Sequence, residues 1–229
     1  MSTTLSRFVA LPLLLAACQK APAPPPTGEP PASPPARPPA DDLTVTAYRC
    51  EGERRVVATH HRSTDRMSLA LPGDTLELER QASPSGVRYV VRTTAFVLRG
   101  EEATLEYAGA AYACQTNVRD TEVERIRLAG AEFRGWGNEP GWILTVWPDS
   151  VVLVENYGAD TLRFPGAAPE VDSATARRLW SLKSGERELT LAIASAPCQD
   201  DMSGEPFPAT VQYVLDRLTT RRGCGMPLR

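Results

Sequence analysis

From Leu43 to Cys114 the chain alternates apolar and polar residues in short runs, each closed by turn-forming residues. Leu43, Val45 and Ala47 alternate with threonines, and Val56-Val57 follow Cys50. Met67, Leu69 and Leu71 end at Pro72-Gly73, and Leu76 and Leu78 alternate with Glu77 and Glu79. After Ser83-Pro84-Ser85-Gly86 come Tyr89-Val91, Phe96-Leu98 and Leu105-Tyr107, before Tyr112 and Cys114. A two-residue period puts successive side chains on opposite faces of a strand, so each run buries one face only. The reading is about eight short strands without a helix. A single sheet of that size leaves two edges that pair promiscuously, and closure removes them. The predicted fold of residues 43–118 is therefore a small antiparallel barrel.

Residues 119–130 are polar and charged and read as a linker. Beyond them, 131–229 reads as a second small β-rich domain of unknown function, so the chain as a whole is all-β. Its clearest strands are Ile143–Trp147, Val151–Val154, Leu189–Ala194 and Val211–Leu215. Trp136-Gly137-Asn138-Glu139-Pro140-Gly141-Trp142 is a loop with a tryptophan at each end. A short helix is expected over 170–180, capped by Asp172 or Ser173.

The first eighteen residues have the form of an export signal, with Arg7, an apolar stretch from Phe8 to Leu15, and Leu15-Ala16-Ala17-Cys18. That tetrapeptide resembles a bacterial lipobox, in which the cysteine is acylated; the apolar stretch is shorter than the ~20 residues of a membrane span. Lipid on Cys18 would anchor the chain. Gln19, in place of aspartate, favours outer-membrane sorting and a periplasm-facing position in the bacterial cell envelope. Within residues 19–42, every second residue from Ala21 to Ala40 on average is proline. Such a segment forms no core and extends as polyproline II; at ~3.1 Å per residue it would hold the folded part about 60 Å from the bilayer.

Without Cys18, the cysteines are Cys50, Cys114, Cys198 and Cys224, an even set in an exported chain and hence a disulfide framework. Three pairings are open; pairing within each domain, Cys50 with Cys114 and Cys198 with Cys224, is favoured by the linker between them. Charge is balanced. Residues 43–118 carry nine acids and nine arginines, and 119–229 carry sixteen acids against thirteen bases. There is no basic stripe of the kind that binds nucleic acid.

Two turns of the first domain carry its chemistry. Ser85-Gly86 can present a hydroxyl, and Arg99-Gly100, at the end of the next apolar strand, can present a cation. The pattern of Tyr48 and Cys50, Ser85-Gly86 with Tyr89, Arg99-Gly100 with Ala103, and Cys114 resembles the membrane-bound and periplasmic inhibitors of c-type lysozyme (the MliC/PliC family). The resemblance implies a barrel that inhibits c-type lysozyme by inserting Ser85 and Arg99 into its active-site cleft. Gly86, Tyr89 and Gly100 belong to the same contact surface. Lysozyme works with two carboxyl groups held in opposed protonation states, so a hydroxyl and a cation are the complementary pair. The chain departs from the family in three respects. Arg99 stands where members carry lysine, Phe96-Val97 lacks the tryptophan often found there, and the domain is neutral.

An enzyme is not expected, nor is a cofactor or a bound metal. His60 and His61 are the only histidines, are adjacent, and as strand neighbours face opposite ways, so the second domain has no Ser-His-Asp triad. Lys183-Ser184-Gly185-Glu186 reads as an exposed hairpin turn, not a Ser-Lys dyad. Cys198-Gln199-Asp200-Asp201-Met202-Ser203-Gly204 resembles a segment of uncharacterised bacterial envelope lipoproteins. Asp200, Asp201 and Glu205 are oxygen donors of the kind that bind calcium, but read as a solvated turn beside a disulfide. Two alternatives stand beside the inhibitor. One is an envelope protein whose barrel binds cell-wall glycan or another envelope protein; the other is a hydrolase built on Asp200, Asp201 and Glu205.

Overall fold

A computed structural model describes residues 42–84 and 86–229. The export signal, Cys18 and the proline-rich tether up to residue 41 lie outside the described residues, as does Ser85.

The first eight strands are β1 (Leu43–Cys50), β2 (Arg54–His61), β3 (Arg66–Leu71), β4 (Asp74–Gln81), β5 (Val87–Val91), β6 (Thr94–Arg99), β7 (Glu102–Tyr107) and β8 (Ala110–Thr116). Each pairs antiparallel with the next, and β8 returns to β1, so they form a closed barrel in chain order. The alternation read from the sequence is the alternation of burial: Met67, Leu69 and Leu71 point inward, with Leu78, Phe96 and Leu105 beside them. The seam is the short join. β1 and β8 pair only over Tyr48–Cys50 and Cys114–Thr116, and there Cys50 lies directly opposite Cys114, to which it is disulfide-bonded.

The rest of β1 is covered by a helix in the segment read as a polar linker. α1 (Val118–Ala129) starts at Asn117, whose side chain accepts from the Asp120 amide, and ends at Gly130 in the left-handed conformation. Both are standard helix-end chemistry. The Thr121 hydroxyl accepts from the Ala47 amide of β1 at 2.9 Å. Arg49 and Arg55 of the barrel reach across to Asp120 (2.5 Å) and Glu124 (2.6 Å). The other side of α1 packs Val123 and Ile126 with Ala131 and Leu228, against Trp136, Trp147 and Met226. Glu122 pairs there with Arg134 at 2.7 Å. The helix is thus held on one side by ion pairs to the barrel and on the other by apolar contact with residues that follow it in the chain.

After α1 come β9 (Phe133–Gly137), β10 (Trp142–Val146), β11 (Ser150–Glu155), β12 (Asp160–Pro165), β13 (Glu170–Asp172), β14 (Arg177–Ser184), β15 (Arg187–Ala194), β16 (Cys198–Gln199), β17 (Pro206–Phe207), β18 (Ala209–Leu215) and β19 (Thr219–Pro227). Nine of these form one sheet in the order β12-β11-β10-β9-β19-β18-β15-β14-β13, while β16 pairs with β17. β12 approaches β14, so the sheet curls around a core that includes Trp142, Phe164, Trp180 and the fully buried Tyr213. The Tyr213 hydroxyl donates to Glu155 at 2.6 Å; burial first, and then the Glu155 carboxylate, push its ionisation well above the ordinary tyrosine range.

The helix expected over 170–180 is absent. Asp172 pairs with Arg177 across a hairpin, and its carboxylate accepts from the Ala174 amide (3.0 Å) and the Thr175 hydroxyl (2.5 Å). The same short acceptor that caps a helix also closes a turn, and here pairing of β13 with β14 decides between them. Lys183-Ser184-Gly185-Glu186 lies at the β14–β15 hairpin, with Lys183 paired to Glu188 at 2.6 Å. The disulfides are Cys50–Cys114 and Cys198–Cys224, the within-domain pairing.

Candidate functional site

In a barrel whose strands follow one another, alternate turns fall at the same end. The loop between β4 and β5, residues 82–86, and the turn at Gly100-Glu101 between β6 and β7 therefore share one rim of the barrel. They also touch. Val87 is paired with Leu98, and a β-carbon on Gly86 would lie 2.6 Å from the Leu98 carbonyl oxygen and 3.4 Å from Cγ of Arg99. With φ at +136°, Gly86 is in a conformation and at a distance that only glycine accepts. The residue following Ser85 is thus seated against the strand end that carries Arg99. Arg99 and Gly100 are exposed, and Gly100 turns the chain with φ at +68°.

Tyr89 has a different place. It is 2% exposed in the barrel core, and its hydroxyl donates to Asp65 at 3.1 Å. Asp65 also meets His60 (3.0 Å) and Arg80 (3.0 Å). The hydrogen bond from His60, followed by those from Arg80 and Tyr89, lowers its carboxyl below the usual carboxylate range. Tyr89 therefore braces the rim from inside and offers no surface to a partner. His61 bonds separately to Ser68 at 2.9 Å, as expected of strand neighbours that do not act together.

Of the carboxylates read as a hydrolase or calcium set, Asp200 and Glu205 have other partners. Asp200 accepts from the Ser203 amide and hydroxyl, both at 2.8 Å, and from the Asn138 side chain at 3.1 Å. Those bonds, the Ser203 amide foremost, hold it below the usual carboxylate range and so ionised, the wrong state for a general acid. Glu205 pairs with Arg119 at 2.9 Å and lies 3.6 Å from Arg49.

Burial penalises the Glu124 carboxylate under the helix, but hydrogen bonds from Arg55 and Arg127 outweigh that penalty and lower its ionisation. The junction between barrel and helix is therefore built on ion pairs around a buried carboxylate that stays charged. Sequence reading passed over it; Asn117 and Gly130, at helix-cap spacing, were the available signal.

The fold and the rim define a small disulfide-bonded antiparallel barrel with Arg99 exposed at the end of β6. Residues 48–113 match the family model of the membrane-bound lysozyme-inhibitor of c-type lysozyme. The match spans nearly all of the barrel and none of the second domain. It is a family of enzyme inhibitors, not of enzymes. No curated protein and no solved structure matches the chain.

Proposed function

We propose that this protein is a lipid-anchored inhibitor of c-type lysozyme in the bacterial cell envelope, protecting peptidoglycan by inserting Ser85 and Arg99 into the enzyme's active-site cleft. The observation that carries the reading is the seating of Gly86 against Leu98 and Arg99, on a barrel that matches the lysozyme-inhibitor family model. Lysozyme's two catalytic carboxyl groups are at different depths and in different protonation states. A guanidinium pairs with the ionised group, and a neighbouring hydroxyl donates to or accepts from the other. Affinity requires that neither turn be ordered on binding. The contact of Gly86 with Leu98 and Arg99, the Tyr89–Asp65 bond and the Cys50–Cys114 bridge support that reading.

The test is turnover of a c-type lysozyme on peptidoglycan in the presence of the purified protein. Turnover should fall as the protein reaches molar equivalence. Undiminished turnover at large excess would leave the barrel as a glycan- or protein-binding module. Product release by the protein alone would restore the hydrolase.

Anchoring has a separate test. Acylation at Cys18 predicts that Cys18→Ser moves the protein from the membrane fraction to the soluble one, because one acylated residue supplies the whole attachment. A variant that stays firmly with the membrane has another anchor.

A further inference from the structure

The two distinctive segments of the second domain, distant in sequence, meet in space. The Asn138 side chain bonds to Asp200, and two clefts, of about 420 and about 320 Å³, adjoin along the wall formed by Trp136, Gly137, Asn138 and Asp200. The larger is walled by Trp136 and Tyr157. The Arg119 guanidinium sits 4.6 Å from the centre of the Trp136 ring. Tyr157 is 76% exposed, although its ring lies on Gly141, where a β-carbon would come within 2.8 Å of it.

Glu139, Asn156 and Tyr157 all adopt left-handed conformations without being glycine, with φ of 53°, 51° and 57°. Such conformations are costly for a non-glycine residue, and seven other described residues adopt them at turns. An aromatic ring held in that state, and left mostly in solvent, contributes little to a core.

The charges decide what the groove suits. In the larger cleft Arg119 is paired with Glu205. In the smaller, Arg177 and Arg222 face Asp200 and Asp201, two cations against two acids, so the groove selects neither an anion nor a cation. The open face of Tyr157, with a balanced set of donors and acceptors beside it, suits a neutral ring that is apolar on its C–H face and hydroxylated at its edge.

We propose that this groove binds a neutral amino-sugar oligosaccharide, with Tyr157 stacking on a sugar ring and Asn138 and Asp200 holding its polar substituents. The aromatic and charge arguments stand alone; the choice of an amino sugar rests on the inhibitor reading, which places the protein beside peptidoglycan. The test is calorimetric titration of the detergent-solubilised full chain with a tetramer of N-acetylglucosamine, and with maltotetraose as the competing neutral sugar. The amino-sugar tetramer should bind and maltotetraose should bind clearly less well. Tyr157→Ala, at an exposed position, should weaken binding by about tenfold or more, the scale of one lost ring stack. Asn138→Ala should also weaken it, and Tyr157→Phe should retain it. Arg99→Ala should bind the sugar as the parent does, so failure of lysozyme inhibition and failure of this site are read separately. No binding of the amino-sugar tetramer, equal binding of both sugars, or unchanged binding by Tyr157→Ala would overturn the proposal.

Discussion

Replacing Arg99 by alanine is expected to weaken binding to a c-type lysozyme by more than tenfold. If the guanidinium enters the cleft, it meets a carboxylate that loses water on binding. Removing the cation leaves that charge buried and unpaired, at a cost of ~2–5 kcal/mol. Each ~1.4 kcal/mol is a factor of ten in affinity, so the lower bound already exceeds tenfold. Ser85→Ala leaves the other carboxyl group without its hydrogen-bond partner and should cost less, about 1–3 kcal/mol. Arg99→Lys is the informative companion, since the family carries lysine at this position. Arginine and lysine differ in width and hydration, so tighter binding by Arg99→Lys would mark a site shaped for an ammonium. Calorimetric titration of the three variants reads all of this. Equal binding by the parent and Arg99→Ala would move the contact surface elsewhere on the barrel.

Removing the Cys50–Cys114 bridge should destabilise the barrel by ~2–5 kcal/mol, the usual range for a native disulfide in a small exported domain. The bridge spans 64 residues, and by chain entropy alone a loop of that size is worth about 4 kcal/mol. Its position adds to the effect, because the seam has three residue pairs where β1 and β2 share eight. A Cys50→Ala, Cys114→Ala double variant should therefore show a lowered unfolding midpoint in denaturant and lose lysozyme inhibition earlier on heating. The rim loses rigidity with the seam. An unfolding midpoint equal to the parent's would mean that α1, lying along the rest of β1, closes the barrel unaided.

The strands of the barrel were legible because a two-residue period is a local property. It follows from the direction in which successive side chains leave an extended backbone, and β1 to β8 stand where Leu43–Ala47, Met67–Leu71 and their successors alternate. The position of Arg99 at a strand end was legible for the same reason. Tyr89 was misread as surface, because period alone says that one face is buried and not which one. Topology decided that its ring joins the core and its hydroxyl reaches Asp65.

The second domain shows the opposite balance. Its strands alternate visibly at Leu189–Ala194 and Val211–Leu215, yet nothing local tells β19 to insert between β9 and β18, or Asn138 to meet Asp200. Asp172 illustrates the limit most directly, since a short side-chain acceptor serves a helix cap and a hairpin turn equally well. The sequence by itself determined the all-β class, the barrel and the spacing of the candidate turns, because these rest on backbone geometry and nearest neighbours. The tertiary structure alone decided the helix between the domains, the seating of Gly86 against Arg99 and the paired clefts. Those depend on contacts between residues far apart in the chain, whose formation is set by closure and packing of the whole.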